Sequence, residues 1–250
     1  MKAISIVGVI LVGLIASPSV VLAQTAKEVV EKAIEAHGGL DNLKKYPAAQ
    51  AKMKGTISIM NLSVPIEGES TYALPDMGKN TMTMDLLGQK ISVSQVINNG
   101  KIKMVANGAD VPVSDSLKAE LTESLYLQSV GQLFPLLDDK KFELSLIKNP
   151  GKVDGNEVVG VLVKSKGHKE IKLFFDAKTF VERAMERKGL DPAEQEVDQK
   201  LICLEFKKID GILRATKCEM TNDGKKFMTF EVTDIKHLEK VDKKLFDLAD

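Results

Sequence analysis

The chain has no tryptophan, and only 5% of its residues are aromatic. Aliphatic side chains and ten methionines must therefore fill any core it builds. Neither sign of charge dominates, since 35 Lys and Arg balance 35 Asp and Glu, and a nucleic-acid partner has no electrostatic support. There is no Gly-x-Ser-x-Gly elbow and no phosphate-binding loop. The three histidines, His37, His168 and His237, lack a second ligand at a spacing such as His-x-x-x-His, so no metal site is marked. Acidic residues are spread along polar faces, and no pair of them stands out for acid–base work. Without convergent titratable groups the expected class is not an enzyme, and no cofactor is expected.

The one long apolar run lies at the start. Met1-Lys2, an apolar stretch over 3–16, Ser17-Pro18-Ser19 and Val21-Leu22-Ala23 form the pattern of a secretory signal peptide cleaved after Ala23. The run is short for a spanning helix and Pro18 interrupts its extension. No cysteine follows it, which argues against a lipid-modified N-terminus. The sequence thus predicts a leader over 1–23 and one domain over 24–250, exported to the periplasm. Cleavage removes Lys2, so 34 basic residues face 35 acidic ones and the formal net charge becomes −1. The remaining length suits a single all-β barrel.

Residues 25–37 place Ala26, Val29, Val30, Ala33 and Ile34 on one helical face, and Gly38-Gly39 supplies a left-handed stop. Residues 40–47 read as a turn or short helix. From Ala51 the period changes to two, with short strands separated by Pro75-Asp76, Leu87-Gly88 and Asn99-Gly100. Each strand has one apolar and one polar face, so the sheet is expected to be covered on one side only. The series breaks at 114–128, where Leu117, Leu121 and Leu125 recur every four residues behind Ser114 or Ser116 as cap. Strands resume around Phe142, over 157–164, at Ile171, Leu173 and Phe175, and over 180–187. Residues 188–198, with Gly189 and Pro192, read as an exposed loop or long hairpin end.

The last third, 201–236, is a meander with Asp210-Gly211 and Asp223-Gly224 as its turns. With Asp210-Gly211 as a two-residue loop, Ile209 faces Ile212, and counting outward sets Cys203 opposite Cys218. Opposed strand residues lie about 4.5–5.5 Å apart at Cα, within reach of a disulfide, which an exported protein permits. The other reading is two small hydrophobes in strands. The spacing supports no CxxC redox or metal motif.

What stands out positively is the apolar face of the sheet. Ile57, Ile59, Met82, Met84, Leu86, Ile91, Val93 and Met104 from the early strands, with Leu173 and Phe175 from a later one, are the candidate lipid-binding residues. Leu117, Leu121 and Leu125 on the central helix are candidates for a lid. Methionine is flexible and polarizable and suits varied apolar ligands, though each could equally be a core filler.

Several short segments resemble the periplasmic lipoprotein-carrier superfamily with the LolA- and LolB-like fold, which includes outer-membrane lipoprotein-sorting proteins. They are Gly38-Gly39, Leu74-Pro75-Asp76 with Lys79, Ile97-Asn-Asn-Gly100, Leu173-Phe-Phe-Asp176, Lys207-Lys-Ile-Asp-Gly211, Glu231-Val and Leu245-Phe246. The resemblance implies a mainly β (α+β) fold, a strongly curved antiparallel half-barrel closed by an N-terminal helix and a central helix. It also implies an apolar interior that binds acyl chains of lipids or lipoproteins; the chain is expected to be a monomer, with no nucleic-acid partner. Two other readings stay open: a non-catalytic envelope module with a filled barrel that binds protein partners, and an envelope hydrolase should the fold bring an acid and a histidine together in a cleft.

Overall fold

The computed structural model describes residues 24–59 and 62–248; the leader reading over 1–23 lies outside them. Helix α1 (Ala26–Ala36) starts at a capping box. Thr25 Oγ1 accepts the Glu28 amide at 3.2 Å, and Glu28 Oε2 accepts the Thr25 amide at 2.8 Å. It ends as the sequence predicts, with Gly38 and Gly39 at φ +125° and +85°. The Gly39 amide donates to Ile34 O at 2.9 Å and that of Gly38 to Glu35 O at 3.2 Å, the paired bonds of a Schellman stop. Helix α2 (Leu40–Lys45) follows at once.

The strands are β1 (Ala48–Ile59), β2 (Leu62–Ala73), β3 (Met77–Leu86), β4 (Gln89–Asn98), β5 (Lys101–Ala106) and β6 (Ala109–Asp110), then, after helix α3 (Asp115–Val130), β7 (Phe142–Leu146) and β8 (Lys152–Val153). They continue as β9 (Asn156–Ser165), β10 (Ile171–Asp176), β11 (Glu182–Leu190), β12 (Glu196–Ile209), β13 (Ile212–Asn222) and β14 (Lys225–Leu238). All pair antiparallel in the order β6-β5-β4-β3-β2-β1-β14-β13-β12-β11-β10-β9-β7, with β8 on β9. Of the two readings of 188–198 the structure shows the long hairpin end: β11 runs to Leu190 and β12 begins at Glu196, around a turn where Asp191 Oδ1 accepts the Ala193 and Gln195 amides.

Curvature has an identifiable source. The register shifts at Arg183 in β11, Leu204 in β12, Thr216 in β13, and Phe227 and Thr233 in β14, whereas the pairs from β1–β2 through β4–β5 run without interruption. Each extra residue bends its strand and adds twist, so the bend is concentrated between β10 and β1. Leu204 and Thr216 lie on opposite strands of one hairpin and cancel. Cys203 and Cys218 therefore face each other as counted from the turn.

The main core lies inside the curve, where Val29, Val30, Ala33 and Ile34 of α1 pack on Val161, Val163, Ile171, Leu173 and Phe175. The expectation of a sheet covered on one side only needs correction. On the outer face, Val153, Val158, Phe174 and Ala184 form a small cluster under the β7–β9 connection, and Phe246 seals Ala48 and Ala73. Three neighbouring strands whose outward positions include Val158, Phe174 and Ala184 cannot leave that face to water without losing their burial energy.

The Asp210-Gly211 turn docks between α1 and α2. Leu213 donates its amide to His37 O at 3.0 Å, and Asn42 Nδ2 donates to Asp210 O at 3.2 Å. A Cβ on Gly38 would sit 2.6 Å from Gly211 O, whereas one on Gly39 would meet nothing nearer than Glu35 Oε2 at 3.7 Å. Gly38→Ala is thus expected to lose about 2 kcal/mol or more in urea unfolding and Gly39→Ala about 1 kcal/mol. Equal losses would show that backbone strain, and not this docking, sets the requirement at Gly38.

Candidate ligand-binding site

Register joins the strands into one inner face. Leu173, Met185, Leu201, Met220, Met228, Ile57 and Val64 stand opposite one another in successive pairs from β10 to β2. Ile66, Met84 and Ile91 continue the face, as do Met82 with Val93 and Gln95 with Met104. The ten strand candidates share this face but do not form one site. Ile57, Ile59, Met82, Met84 and Leu86 cluster with Val64, Ile66 and Met228 at its far end. Leu173 and Phe175 are fully buried beneath α1. Ile91, Val93 and Met104 lie half-buried on β4 and β5. Leu117, Leu121 and Leu125 pack from α3 onto Ile97 and Ile102.

Helix α3 connects to the two halves of the sheet differently. Toward β3–β5 its contacts are those leucines. Toward β9–β12, polar ties add to the apolar packing of Tyr126, Leu127 and Val130 in the main core: a buried Glu120–Arg187 ion pair, Glu123 Oε1 to His168 Nδ1 at 2.9 Å with the Lys169 amide on Glu123 Oε2 at 3.1 Å, and Ser114 and Ser116 on Glu194. Breaking a buried ion pair by removing one partner costs about 3–5 kcal/mol, several times a surface pair.

Two spaces flank α3. An outer cleft of about 1000 Å³ has Leu74, Ile97, Leu125, Tyr126, Phe134, Leu137 and Phe142 in its floor and Lys44, Lys140, Lys141 and Lys166 among its rim. An inner cavity of about 230 Å³ lies against β1 and β11–β14, with Leu127, Met185, Leu201, Phe206 and Leu213 in its lining. Gln132, buried just beyond α3, lines both.

A polar network that sequence reasoning did not find runs through the inner cavity. Gln132 Oε1 accepts from Arg214 Nη2 at 2.8 Å, and Gln132 Nε2 donates to Tyr72 Oη at 3.4 Å. Arg214 Nε donates to His237 Nε2 at 3.3 Å, leaving His237 Nδ1 to donate to Asp210 at 3.2 Å. His237 is thereby held neutral; burial and then Arg214 lower its pKa, against Asp210. His37 is fixed likewise, since Nε2 accepts the Glu182 amide at 3.4 Å and Nδ1 faces Ala33 O at 2.8 Å. Burial lowers its pKa as well. Burial raises the Glu182 carboxyl to about 8, with Arg214 opposing, so it is protonated at neutral pH.

The fold does bring acids and histidines together. Glu123–His168 borders the outer cleft and Asp210–His237 the inner network. Each pair ties elements together: α3 to the β9–β10 turn, and the β12–β13 turn to β14. His237 Nε2 is occupied by Arg214, and among the described residues no hydroxyl or thiol is hydrogen-bonded to the free nitrogen of His168. Cys203 and Cys218 are buried free thiols lining the inner cavity, and their mutual hydrogen bond together with burial pushes Cys203 well up.

No family model and no curated protein matches the sequence. Solved structures do match. One is a LolA superfamily protein from Nitrosomonas europaea, 12% identical with TM-score 0.57, over 90% of this chain and 98% of that one. Another is a DUF1329 family protein from Desulfovibrio piger, 13% identical with TM-score 0.56, over 89% and 97%. A third is a domain named for outer membrane lipoprotein sorting from Vibrio parahaemolyticus, 13% identical with TM-score 0.52, over 88% and 95%. The likeness establishes the fold as a LolA-like open half-barrel.

A carboxyl whose folded pKa lies above its unfolded value of 4.5 withdraws stability as pH rises from that value through about 8. Glu182→Gln is therefore expected to be more stable than the parent at pH ~9, by a few kcal/mol, and to match it more closely at pH ~5. Parallel melting curves for the two proteins across that range would contradict a buried, protonated Glu182.

Proposed function

We propose that the protein is an exported carrier that shields acyl chains of lipids or lipoproteins in the apolar space beside α3. The observation that carries this reading is the outer cleft of about 1000 Å³ with its apolar floor. Its size is at the upper end of ordinary ligand sites, and such sites combine apolar walls with a few polar groups. Each buried methylene contributes about 0.8 kcal/mol, so a chain of ~12–16 carbons offers on the order of 10 kcal/mol before ordering costs. The name of the Vibrio parahaemolyticus domain favours lipoprotein sorting as the setting. The leader pattern over 1–23 supports a mature chain 24–250, a single domain, in the periplasm; no helix among the described residues is long and apolar enough to cross a membrane. The role is non-catalytic, the protein acts as a monomer, and opposed Cys203 and Cys218 close a disulfide on export.

A fluorescent fatty acid should bind delipidated protein at low micromolar concentration. Leu137→Glu, which sets a charge in the cleft floor, should weaken it at least tenfold, because each methylene denied burial costs ~0.8 kcal/mol. Met84→Glu tests the far cluster in the same titration. Saturation only at millimolar ligand would overturn the carrier reading. The filled-barrel module is favoured by one observation, the fully buried Leu173 and Phe175 beneath α1. Native mass spectrometry of detergent-free protein separates the two: co-purified lipid supports the carrier, and a lipid-free mass with a bound protein partner supports the module.

A further inference from the structure

The inner cavity holds a cation in apolar surroundings. Arg214 spends Nη2 on Gln132 and Nε on His237, and among the described residues its Nη1 has no protein partner. In the lining of the same cavity Glu182 is only 8% exposed, and its carboxyl oxygens have no hydrogen-bond partner among the described residues. The free guanidinium nitrogen and the unpartnered carboxyl thus face a cavity walled by Leu127, Met185, Leu201 and Phe206. Both would be satisfied by the same guest, an anionic group with two acceptor oxygens. The cavity of about 230 Å³ is below the usual range for a whole ligand, so it suits one end of a longer molecule. The rest of that molecule has a place to lie, because Gln132 separates this cavity from the outer cleft and lines both.

We propose that the inner cavity is a head-group subsite for a carboxylate: a fatty acid or similar carboxylated amphiphile pairs its head with Arg214 Nη1, accepts a hydrogen bond from Glu182, and extends its tail past Gln132 into the outer cleft. The proposal rests on the carrier reading and adds the chemistry of the cargo's polar end. An ester at the same position brings no charge to Arg214, and a cationic head is repelled by it. A site that offers a guanidinium and a carboxyl proton to a ligand's head discriminates against a head that cannot pair with them more strongly than an apolar wall rejects a missing methylene.

The test compares palmitic acid with methyl palmitate in displacing a bound fluorescent acyl probe. The acid should displace it at about tenfold lower concentration than the ester from the wild-type protein, the worth of one charge-assisted pair. Arg214→Gln should bring the acid to within about twofold of the ester. Equal displacement by acid and ester, or a preference that survives Arg214→Gln, would overturn the subsite and leave the carrier reading standing. Displacement by neither ligand, with no binding of the probe itself, would overturn both. Should Arg214→Gln fail to fold, carboxyl-13C palmitate on the wild-type protein decides the matter: its carboxyl resonance should titrate at least about one pH unit lower when bound beside a guanidinium, and a raised titration would overturn the proposal.

Discussion

The sheet does not close, and the chain must pass from one free edge to the other. β6 and β7 are its two ends, and residues 111–141 join them. A connection between opposite edges of a curved sheet has to cross its mouth, so α3 is at once linker and cover. Its sequence serves both demands. Leu117, Leu121 and Leu125 face the hairpins it has just left, and Glu120 and Glu123 reach the strands that follow it. An unpaired edge is a template for association with another chain. β6 limits that hazard by being two residues long, and β7 by carrying Glu143 and Ser145 outward.

Placing a charge inside such a shell requires that it be anchored from several directions. Arg214 is anchored from the end of α3, from β14 and, through His237, from the Asp210 turn that α1 and α2 receive. Gly38 belongs to the same arrangement, because the turn reaches His237 only if it can seat against a residue without a side chain. The interior is thus apolar in its walls and polar along one line. That combination distinguishes a cavity able to orient a guest from one that merely solvates it.

Most of the architecture was legible in the sequence. The Asp-Gly and Asn-Gly turns, the period-two runs and the capped helix before Gly38-Gly39 each act over a few residues, and each appears where its local chemistry puts it. The inner network was not legible, and Glu182 shows why. Counting alternate positions back from inward-facing Met185 sends Glu182 to the outer face. The extra residue Arg183 reverses that count, and Glu182 pairs with inward-facing Phe175. A bulge has no fixed signature in composition, so strand periodicity fails where a bulge re-aims a side chain. Gln132 and Arg214 were hidden for a different reason. Each is an ordinary polar residue locally, and only the fold brings positions 132, 182 and 214 together. The outer cluster under β7–β9 was missed because a run such as Val158 to Val163 satisfies both faces at once.

The uneven distribution of bulges has a mechanical meaning. The half from β10 to β14 is kinked strand by strand, and α3 is bolted to the β9–β12 part of that region by ion pairs and hydrogen bonds that need defined geometry. The half from β2 to β6 is a stack of regular hairpins that meets the same helix through the apolar packing of Leu117, Leu121 and Leu125, which has no preferred direction. In a vessel built this way the helix behaves as part of the frame. The N-terminal wall of the sheet meets that frame through apolar contacts that prescribe no direction.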